Sequence, residues 1–222
     1  MNTLLIRLIA PLQSWGVQSN YSIRDSGLEP SKSGVIGLIC AALGRPRQAA
    51  LDDLICLRMG VRVDREGSLR RDYHIAQNVL EANAKGTKDS LPSNRYYLAN
   101  AAFLVGLEGE TVALLEQIQH ALQHPIWQIF LGRKAFVPAA PVWMRDGIRA
   151  GVSLEDALQN YGWICAWKTG RALQQVRMVI EHPAGEQARP DVPLSFAERR
   201  FSSRRVTTRM LPAPTQMAEE VL

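Results

Sequence analysis

Apolar residues in this chain occur in short runs, each interrupted by a charged or turn-forming residue. The first run, residues 3–10, contains Arg7 and stops at Pro11. A membrane-spanning helix needs about 20 consecutive apolar residues, so the sequence predicts none. No small-residue cleavage site follows this run, which argues against a secretory signal. The pattern favours a soluble domain of short strands and helices, and 222 residues are enough to bury a sizeable core.

Composition narrows the class of protein without indicating a function. The chain is 46% hydrophobic and 21% charged, as globular proteins usually are, and its net charge of +5 permits a polyanionic partner. Its three cysteines, Cys40, Cys56 and Cys165, are an odd number and form no C-x-x-C motif. A disulfide framework and a cysteine-rich zinc site are therefore not expected, and a reducing cytoplasm is the expected location. No cofactor is expected.

Pro138 and Pro141 mark a boundary in the chain after residue 137. The part before it predicts strand, helix, hairpin, strand, helix and strand, which is close to a ferredoxin-like or RRM-like split βαβ pattern of the α+β class. The polar stretch at residues 74–98 shows no sustained period and indicates a protruding insertion. The predicted elements are a strand at 3–10, helices at 33–43 and 48–57, hairpin strands at 59–64 and 69–75, a strand at 99–107, a helix at 110–122 and a strand at 126–137.

Residues 138–222 predict a small β-rich subdomain and a tail. Ser153 begins an S-x-x-D capping motif, which predicts a short helix. The other predicted features of this part are strands at 162–167 and 176–181, a basic run at 189–209 and a loose tail at 215–222.

Nucleophilic and metal chemistry have weak support. The cysteines lie in apolar stretches, which is typical of packing groups. His120 and His124 can share a helix face, but no third ligand has suitable spacing, so no metal site is expected. Cationic histidines at a helix C-terminus favour the helix dipole, which is the preferred interpretation of this pair.

A metal-free ribonuclease remains an alternative. Tyr73 and His74, with the nearby Lys85 and Lys88, could form an acid–base set that cuts RNA through its 2′-hydroxyl. Residue types alone do not fix the required geometry, and a packing or RNA-contact pair is the favoured interpretation of Tyr73 and His74.

Two short segments combine glycine with cations and are candidates for phosphate binding. The segment before the first predicted helix offers Lys32 and Ser33 beside free N–H groups, although an ordinary capped helix is an equal alternative. The segment after residue 130 places Arg133 and Lys134 behind a glycine, where they form either a phosphate clamp or a solvated turn.

Two further features have both a structural and a functional interpretation. Trp15 lies in a polar loop and either anchors that loop on the core or offers a stacking surface to an unpaired base. The C-terminal basic run, which includes Arg204, is either a solvated strand face or a polyanion contact.

Five short motifs follow one another along nearly the whole chain. They are LIAPLQSWG at residues 8–16, PSKSGVIGL at 30–38, RDYH at 71–74, FLGRK at 130–134 and the looser FSSR at 201–204. In this order they resemble the Cas-five family of CRISPR-associated proteins in its type I-E Cascade form. The fourth motif departs from the family pattern by having Phe130 where a tyrosine is usual.

The resemblance implies a modified RRM-like domain with a protruding thumb hairpin at about residues 75–98 and a small C-terminal β subdomain. It implies a non-catalytic subunit that grips the repeat-derived 5′ handle of the CRISPR RNA. Such a subunit caps the backbone of CasC subunits and adjoins the large Cascade subunit that reads the PAM. In type I-E systems a separate endonuclease, CasE, cuts the precursor RNA, whereas a relative from another subtype cuts it itself. A metal-independent endoribonuclease is therefore the alternative function, and a ferredoxin-like protein with no nucleic-acid role is the third.

The resemblance also implies a set of RNA-binding positions. The expected phosphate contacts lie beside turns or element ends and are Lys32, Ser33, Arg95, Arg133 and Lys134. The expected neighbours of splayed bases are Trp15, Tyr73 and His74. The remaining expected positions lie within the matched motifs and are Gln13, Ser14 and Arg204. Single-stranded RNA bound in this way would meet cations and backbone N–H groups together.

Overall fold

The computed structural model describes residues 1–17, 22–81, 83, 86–165 and 173–218. In chain order its elements are β1 (Asn2–Ile9), β2 (Leu12–Gln13), β3 (Ile23–Arg24), α1 (Lys32–Leu43), α2 (Asp52–Ile55), β4 (Arg58–Arg65), β5 (Ser68–Leu80), β6 (Thr87–Ala99), β7 (Ala102–Gly109), α3 (Val112–Gln123), β8 (Ile148–Arg149), α4 (Leu154–Asn160), β9 (Gln175–Glu181), β10 (Gln187–Ser195) and β11 (Arg200–Pro212). Mostly antiparallel sheets with few helices confirm the predicted α+β class. Within these described ranges, no helix is long and apolar enough to span a membrane.

Seven strands form the main sheet in the order β10-β11-β9-β4-β7-β1-β8. Leu4 and Ile6 of β1 pack into the core that includes residues of α1 and α3, whereas Leu5 packs into the core that includes residues of α4. Because both faces of β1 are covered, its sequence is a nearly continuous apolar run instead of an alternating one. Arg7 interrupts that run, and its Nε donates to the carbonyl oxygen of Pro141 at 2.8 Å.

Serine side chains cap the N-termini of α1 and α4, and the capping motif predicted at Ser153 is confirmed. Ser31 precedes α1, and its Oγ accepts a hydrogen bond from the N–H of Gly34 at 3.2 Å. Gly44 ends α1 in the left-handed region, with φ of 68°. Ser153 caps α4 in the same way as Ser31, accepting from the N–H of Asp156 at 3.2 Å. These caps fix where the loops beside α1 and α4 begin.

A second sheet contains a long hairpin in which β5 pairs with β6 along nearly their full length. The predicted hairpin between residues 59–64 and 69–75 is therefore wrong, since β4 pairs with β7 and β9 in the main sheet. Alternating side chains reveal that a segment is a strand but not which strand it pairs with. Only two residues separate β4 from β5, yet the chain passes there from one sheet to the other.

The predicted strand at residues 126–137 is also wrong. Its backbone bonds instead to neighbouring loops and to the end of α1, where the N–H of Ile126 donates to the carbonyl of Ala42 at 3.0 Å. The apolar residues of this segment pack as a loop because the carbonyls at a helix C-terminus need donors that the helix cannot supply.

Strands from both sides of residue 137 share the main sheet, because β9 pairs with β4. The predicted division into residues 1–137 and 138–222 stays a prediction about domain organisation. The predicted strand at 176–181 is confirmed as β9, whereas 162–165 form no strand and make only an isolated bridge between Trp163 and Met217. Residues 166–167 of that prediction and 219–222 of the predicted tail lie outside the described residues.

Candidate nucleic-acid interface

The loop after β2 and the loop after α3 contact each other backbone to backbone. The N–H of Ser14 donates to the carbonyl of Leu131 at 3.1 Å. Gly132 adopts φ of +98°, and a Cβ at this position would lie 1.9 Å from the carbonyl oxygen of Ser14. Only glycine fits such a conformation and such an approach. The glycine of the FLGRK motif therefore brings the two loops together.

Arg133 extends from this junction to the long hairpin. Its Nη2 donates to the carbonyl oxygen of Tyr96 on β6 at 2.8 Å, and its guanidinium carbon lies 5.3 Å from the centre of the Phe136 ring. Burial lowers the pKa of Arg133, and the positive charge of Arg95 lowers it further. Arginine nevertheless remains protonated at neutral pH. Its cation is thus held in place and crowded by another cation.

Sheet register places two arginines and one aspartate in a row. Arg24 on β3 pairs with Arg95 on β6, which pairs with Asp72 on β5. Residues directly opposite one another project from the same face of a sheet. Arg95 is also oriented by a hydrogen bond from its Nε to Ser93 Oγ at 3.1 Å.

These groups open into a cavity of about 450 Å³. The side chains that give the cavity its polar character come from five separated parts of the chain and are Ser14, Arg24, Asp25, Ser31, Ser33, Arg95 and Arg133. Of the predicted site residues, the structure brings together Ser14, Trp15, Ser33, Arg95 and Arg133 around this cavity. Three guanidinium groups around one cavity can bind an anion with several oxygens, such as a phosphodiester.

Gln13 and Trp15 build the wall of this cavity from inside. Gln13 is fully buried, and its Nε2 donates to the carbonyls of Leu8 and Ala101 at 3.2 and 2.9 Å. Its Oε1 accepts from the indole N–H of Trp15 at 3.1 Å. Trp15 is 2% exposed and packs so closely on Gly34 that a Cβ there would lie 2.9 Å from the indole. Burial of both side chains favours the anchoring interpretation of Trp15, and the RNA contacts predicted for Gln13 and Trp15 stay predictions.

Internal carboxylates pair with the cations of Lys32 and Arg204, and the RNA-binding roles predicted for these two residues stay predictions. Lys32 Nζ lies 3.0 Å from Glu181 Oε2, and Arg204 donates from Nε to Asp191 Oδ1 at 2.7 Å. Asp191 also accepts a hydrogen bond from the backbone N–H of Lys32 at 2.8 Å. Its carboxylate therefore supplies the negative charge that the N-terminal end of α1 favours. Burial lowers the pKa of Lys32, and Glu181 partly opposes that lowering. In this arrangement each of the two cations already has a carboxylate partner within the protein.

Tyr73 and His74 project from opposite faces of the hairpin. Neighbouring residues of a strand alternate, and the uninterrupted register pairs Tyr73 with Asn94 and His74 with Ser93. His74 therefore shares the face of Ser93 and Arg95, whereas Tyr73, which is exposed, lies on the other face. A single acid–base pair formed by the two side chains does not fit this geometry.

The structure describes two of the three remaining predicted cations. Lys134 is exposed and follows Arg133 in the turn. Lys88 is exposed near the far end of the hairpin, opposite Val79. Lys85 of the predicted acid–base set lies outside the described residues. Within those described residues, no group of three or more metal-binding side chains occurs.

Sequence reasoning missed Arg24, Asp72 and Phe201. Arg24 reaches the site through a parallel pairing of only two residues, which leaves no hydrophobic pattern. Asp72 lay within the matched RDYH motif and Phe201 within FSSR, so the motifs contained a signal for both. The motif prediction selected Arg204, although Phe201 is the member of that motif that lines the cavity.

Two solved structures resemble this chain along almost all of its length. A protein described as "Crystal structure of Cas protein" is 41% identical with a TM-score of 0.77, and the match covers 96% of this chain and 97% of that one. A chain of a "CRISPR RNA-guided surveillance complex" is 31% identical with a TM-score of 0.78, covering 96% and 91%. The fold is thus that of CRISPR-associated proteins.

Sequence comparison gives the family. The family model of the CRISPR-associated protein (Cas_Cas5) matches residues 3–207, so this chain belongs to the Cas5 family. The Escherichia coli (strain K12) protein named "CRISPR system Cascade subunit CasD" is 28% identical over 218 residues, covering 90% of this chain and 92% of that protein. The resemblance predicted from the five motifs is confirmed.

Proposed function

We propose that this chain is a non-catalytic RNA-binding subunit of a type I-E Cascade complex and that it grips the 5′ handle of the CRISPR RNA. One observation carries the proposal. Arg24, Arg95 and Arg133 come from three separate segments and line a single open cavity. A compact domain gathers like charges in this way only at a cost in repulsion, which a polyanionic ligand removes.

The geometry suits a single strand of RNA better than a duplex. The cavity is bounded by loops and by residues of β3, α1, β6 and β11, and its arginines are oriented by contacts with the protein, as the hydrogen bond from Arg133 to Tyr96 illustrates. Preoriented guanidinium groups lose little side-chain entropy when they bind phosphate oxygens. Sequence-specific RNA recognition mostly concerns unpaired nucleotides whose bases can be splayed apart. An unpaired leader of the CRISPR RNA meets both requirements.

The partners follow from the relatives. The Escherichia coli relative is named as a Cascade subunit, and a chain of an RNA-guided surveillance complex shares this fold. We propose that the modified RRM-like domain carries the β5–β6 hairpin as a thumb, which lies against the adjacent CasC subunit while the domain caps the CasC backbone and adjoins the large PAM-reading subunit. Exposed apolar side chains on the hairpin, Tyr73, Ile75 and Leu91, support a protein contact there.

A ribonuclease reaction has less support. A general base and a general acid must both reach the scissile phosphodiester, and Tyr73 and His74 project from opposite faces of the hairpin. We therefore propose that the chain holds the RNA without cutting it.

The test is to incubate the purified full-length chain with labelled repeat RNA in the presence of EDTA. We expect binding that weakens with salt and no cleavage products. Cleavage that disappears in a His74→Ala variant would instead establish the metal-independent endoribonuclease. Absence of salt-dependent RNA binding, both for the chain alone and for the reconstituted complex, would contradict any role in RNA binding.

A further inference from the structure

A second groove continues from the arginine cavity along the exposed face of α1. It encloses about 730 Å³ and shares Ser33, Gly34, Gly132, Phe196 and Phe201 with the arginine cavity. Its floor is formed by Gly34, Gly37 and Ala41, which are spaced so that they lie on one face of the helix. The missing side chains of the two glycines let aromatic rings approach the helix backbone, since a Cβ would lie 2.9 Å from the Trp15 ring at Gly34 and 3.6 Å from the Phe196 ring at Gly37.

Aromatic rings form the walls of this groove. Trp127 and Phe130 come from the loop after α3, Phe196 from the connection between β10 and β11, and Phe201 from β11, and all four line the groove. The N–H of Trp127 donates to the carbonyl of Ala41 at 3.1 Å, which holds the indole beside the end of α1. Trp127 is 48% exposed and Phe201 is 45% exposed, so both rings present large uncovered faces.

Cations surround the rim of the aromatic groove. Arg47 and Arg199 are exposed and carry the positive charge of this rim, whereas Arg45 is paired through both Nη atoms with the carboxylate of Asp53. An apolar groove that receives a protein helix or loop does not need arginines on its rim, whereas a nucleotide brings a phosphate with every base. The rim therefore favours RNA over an apolar polypeptide as the occupant.

We propose that this groove binds unpaired nucleobases of the same RNA strand whose phosphates occupy the arginine cavity. The inference rests on the proposed function and adds a base-binding subsite to it. Bases stack on aromatic side chains independently of their identity, and arginine planes add to that stacking. The groove volume lies within the range of about 300–1,000 Å³ typical of small-molecule sites, which is room for more than one base. The strand would run from the arginine cavity over Gly34 and Gly37 toward Trp127.

Two variants of the full-length chain test the subsite. Phe201→Ala removes an exposed wall, and Gly37→Leu fills the floor. Gly37 lies within α1, and a Cβ at this position would make an ordinary contact with Phe196 at 3.6 Å. A leucine at position 37 therefore raises the helix propensity of α1 while its side chain blocks the groove. The matched controls are Gly37→Ala, which adds only the Cβ, and Met210→Ala, which removes another exposed apolar side chain from β11.

Binding is measured with handle RNA in which one nucleotide at a time is made abasic. We expect at least one abasic position to weaken wild-type binding by about ten-fold, in the range typical of a lost base–aromatic stack. The same position should cause little further loss in Phe201→Ala and Gly37→Leu, while the salt dependence of binding stays at the wild-type value. The two control variants should respond to the abasic position as the wild type does.

Two results would overturn the subsite. Abasic positions that weaken the wild type and both groove variants equally would show that no base lies in the groove. Unchanged RNA affinity together with failure of both groove variants to assemble with the other subunits would show that the groove receives a protein side chain. If the wild type still binds RNA in a salt-dependent way, the proposed function stands even though the subsite does not. If the wild type does not bind RNA, both the proposed function and the subsite are overturned.

Discussion

Arg133 donates a hydrogen bond to the main-chain oxygen of Tyr96 at 2.8 Å and thereby connects the loop after α3 to the long hairpin. These two segments meet in the fold beside the start of α1, where Ser33 also lines the cavity. The cation is supported from one side by the Phe136 ring and repelled by Arg95. A phosphate placed among these groups would gain hydrogen bonds and relieve the repulsion between the arginines.

Removing the cavity charges should reduce both the affinity for handle RNA and its dependence on salt. Each phosphate contact to a single strand contributes about 0.7 to the slope of log K against log salt concentration. We therefore expect Arg95→Gln and Arg133→Gln each to lower the slope by about this amount, and the double variant by about twice as much. Fluorescence anisotropy of labelled RNA over a salt series measures the slope.

Arg71→Gln is the matched control for the charge variants. Arg71 lies opposite Tyr96 in the hairpin and therefore projects from the face away from Arg95. Its replacement removes one positive charge from the same hairpin and should leave the slope close to the wild-type value. An equal loss of slope in Arg71→Gln and Arg95→Gln would indicate a general charge effect and contradict a specific cavity.

Gly132→Ala should destabilise the protein much more than an ordinary glycine replacement. The alanine would adopt a left-handed φ and also place its Cβ 1.9 Å from the backbone oxygen of Ser14. We expect a loss in the free energy of unfolding on the order of 3 kcal/mol, since the backbone on both sides must shift. Urea unfolding of the two proteins measures the difference.

Gly151→Ala separates the conformational part of this loss from the clash. Gly151 also has a positive φ, of 72°, but no atom of the described residues lies within 4 Å of the position that a Cβ would take there. Its replacement should cost only the conformational strain of about 1–2 kcal/mol. If Gly132→Ala were no more destabilising than Gly151→Ala, the close approach to Ser14 would be wrong.

Asp191→Asn should destabilise the fold because it leaves two buried cations without their full compensation. Asp191 accepts from Arg204 at 2.7 and 3.0 Å and from the N–H of Lys32 at 2.8 Å. Breaking a buried ion pair by removing one partner costs about 3–5 kcal/mol. Glu198→Gln is the control, since Glu198 pairs with Arg200 at the surface and such pairs contribute about 0–1 kcal/mol. Similar urea midpoints for the two variants would contradict the buried network.

Cysteine reactivity should differ strongly along the chain. Burial raises the pKa of the Cys40 and Cys165 thiols to about 11, whereas Cys56 is exposed. Since the thiolate is the reactive form, iodoacetamide at neutral pH should modify Cys56 and spare the other two until urea unfolds the chain. Mass spectrometry of the alkylated peptides measures this. Equal modification of Cys40 and Cys56 in the native protein would contradict the burial of Cys40.

The same thiols should make the fold less stable in alkali. Between pH 9.0, where the thiol of the unfolded chain titrates, and about 11, the folded protein binds more protons than the unfolded chain. The free energy of unfolding therefore decreases as pH rises through this window and is unaffected by the thiols below it. Cys165→Ala should flatten this part of the pH profile. An unchanged slope in that variant would contradict a raised pKa for Cys165.

The sequence predicted elements well where their signals are local. The cap at Ser31 and the closing Gly44 define α1, and the apolar run of β1 identifies a strand covered on both faces. The strand with which each strand pairs was harder to predict. The register of β5 with β6 depends on long-range pairing, which an alternating pattern does not encode.

Charged site residues were the hardest to assign because a sequence shows a cation but not its counter-ion. Lys32 and Arg133 both follow turn-forming residues, yet Glu181 neutralises Lys32 from 149 residues away while Arg133 lies beside other arginines. Trp15 gave a related difficulty. Its polar loop indicated an exposed ring. In the structure the indole N–H donates to Gln13, and the absence of a Cβ at Gly34 leaves room for the ring, which is therefore buried.

The central claim, that an unpaired RNA leader lies in the arginine cavity, is tested most directly by crosslinking. Handle RNA carrying 4-thiouridine at successive positions would be assembled into the reconstituted complex, irradiated and mapped by mass spectrometry. We expect crosslinks in peptides that contain Arg24, Arg95, residues 130–136 and residues 196–201. Crosslinks confined to the distant cleft between Tyr161 and the segment around Met217, or no crosslinks to this chain, would contradict the claim.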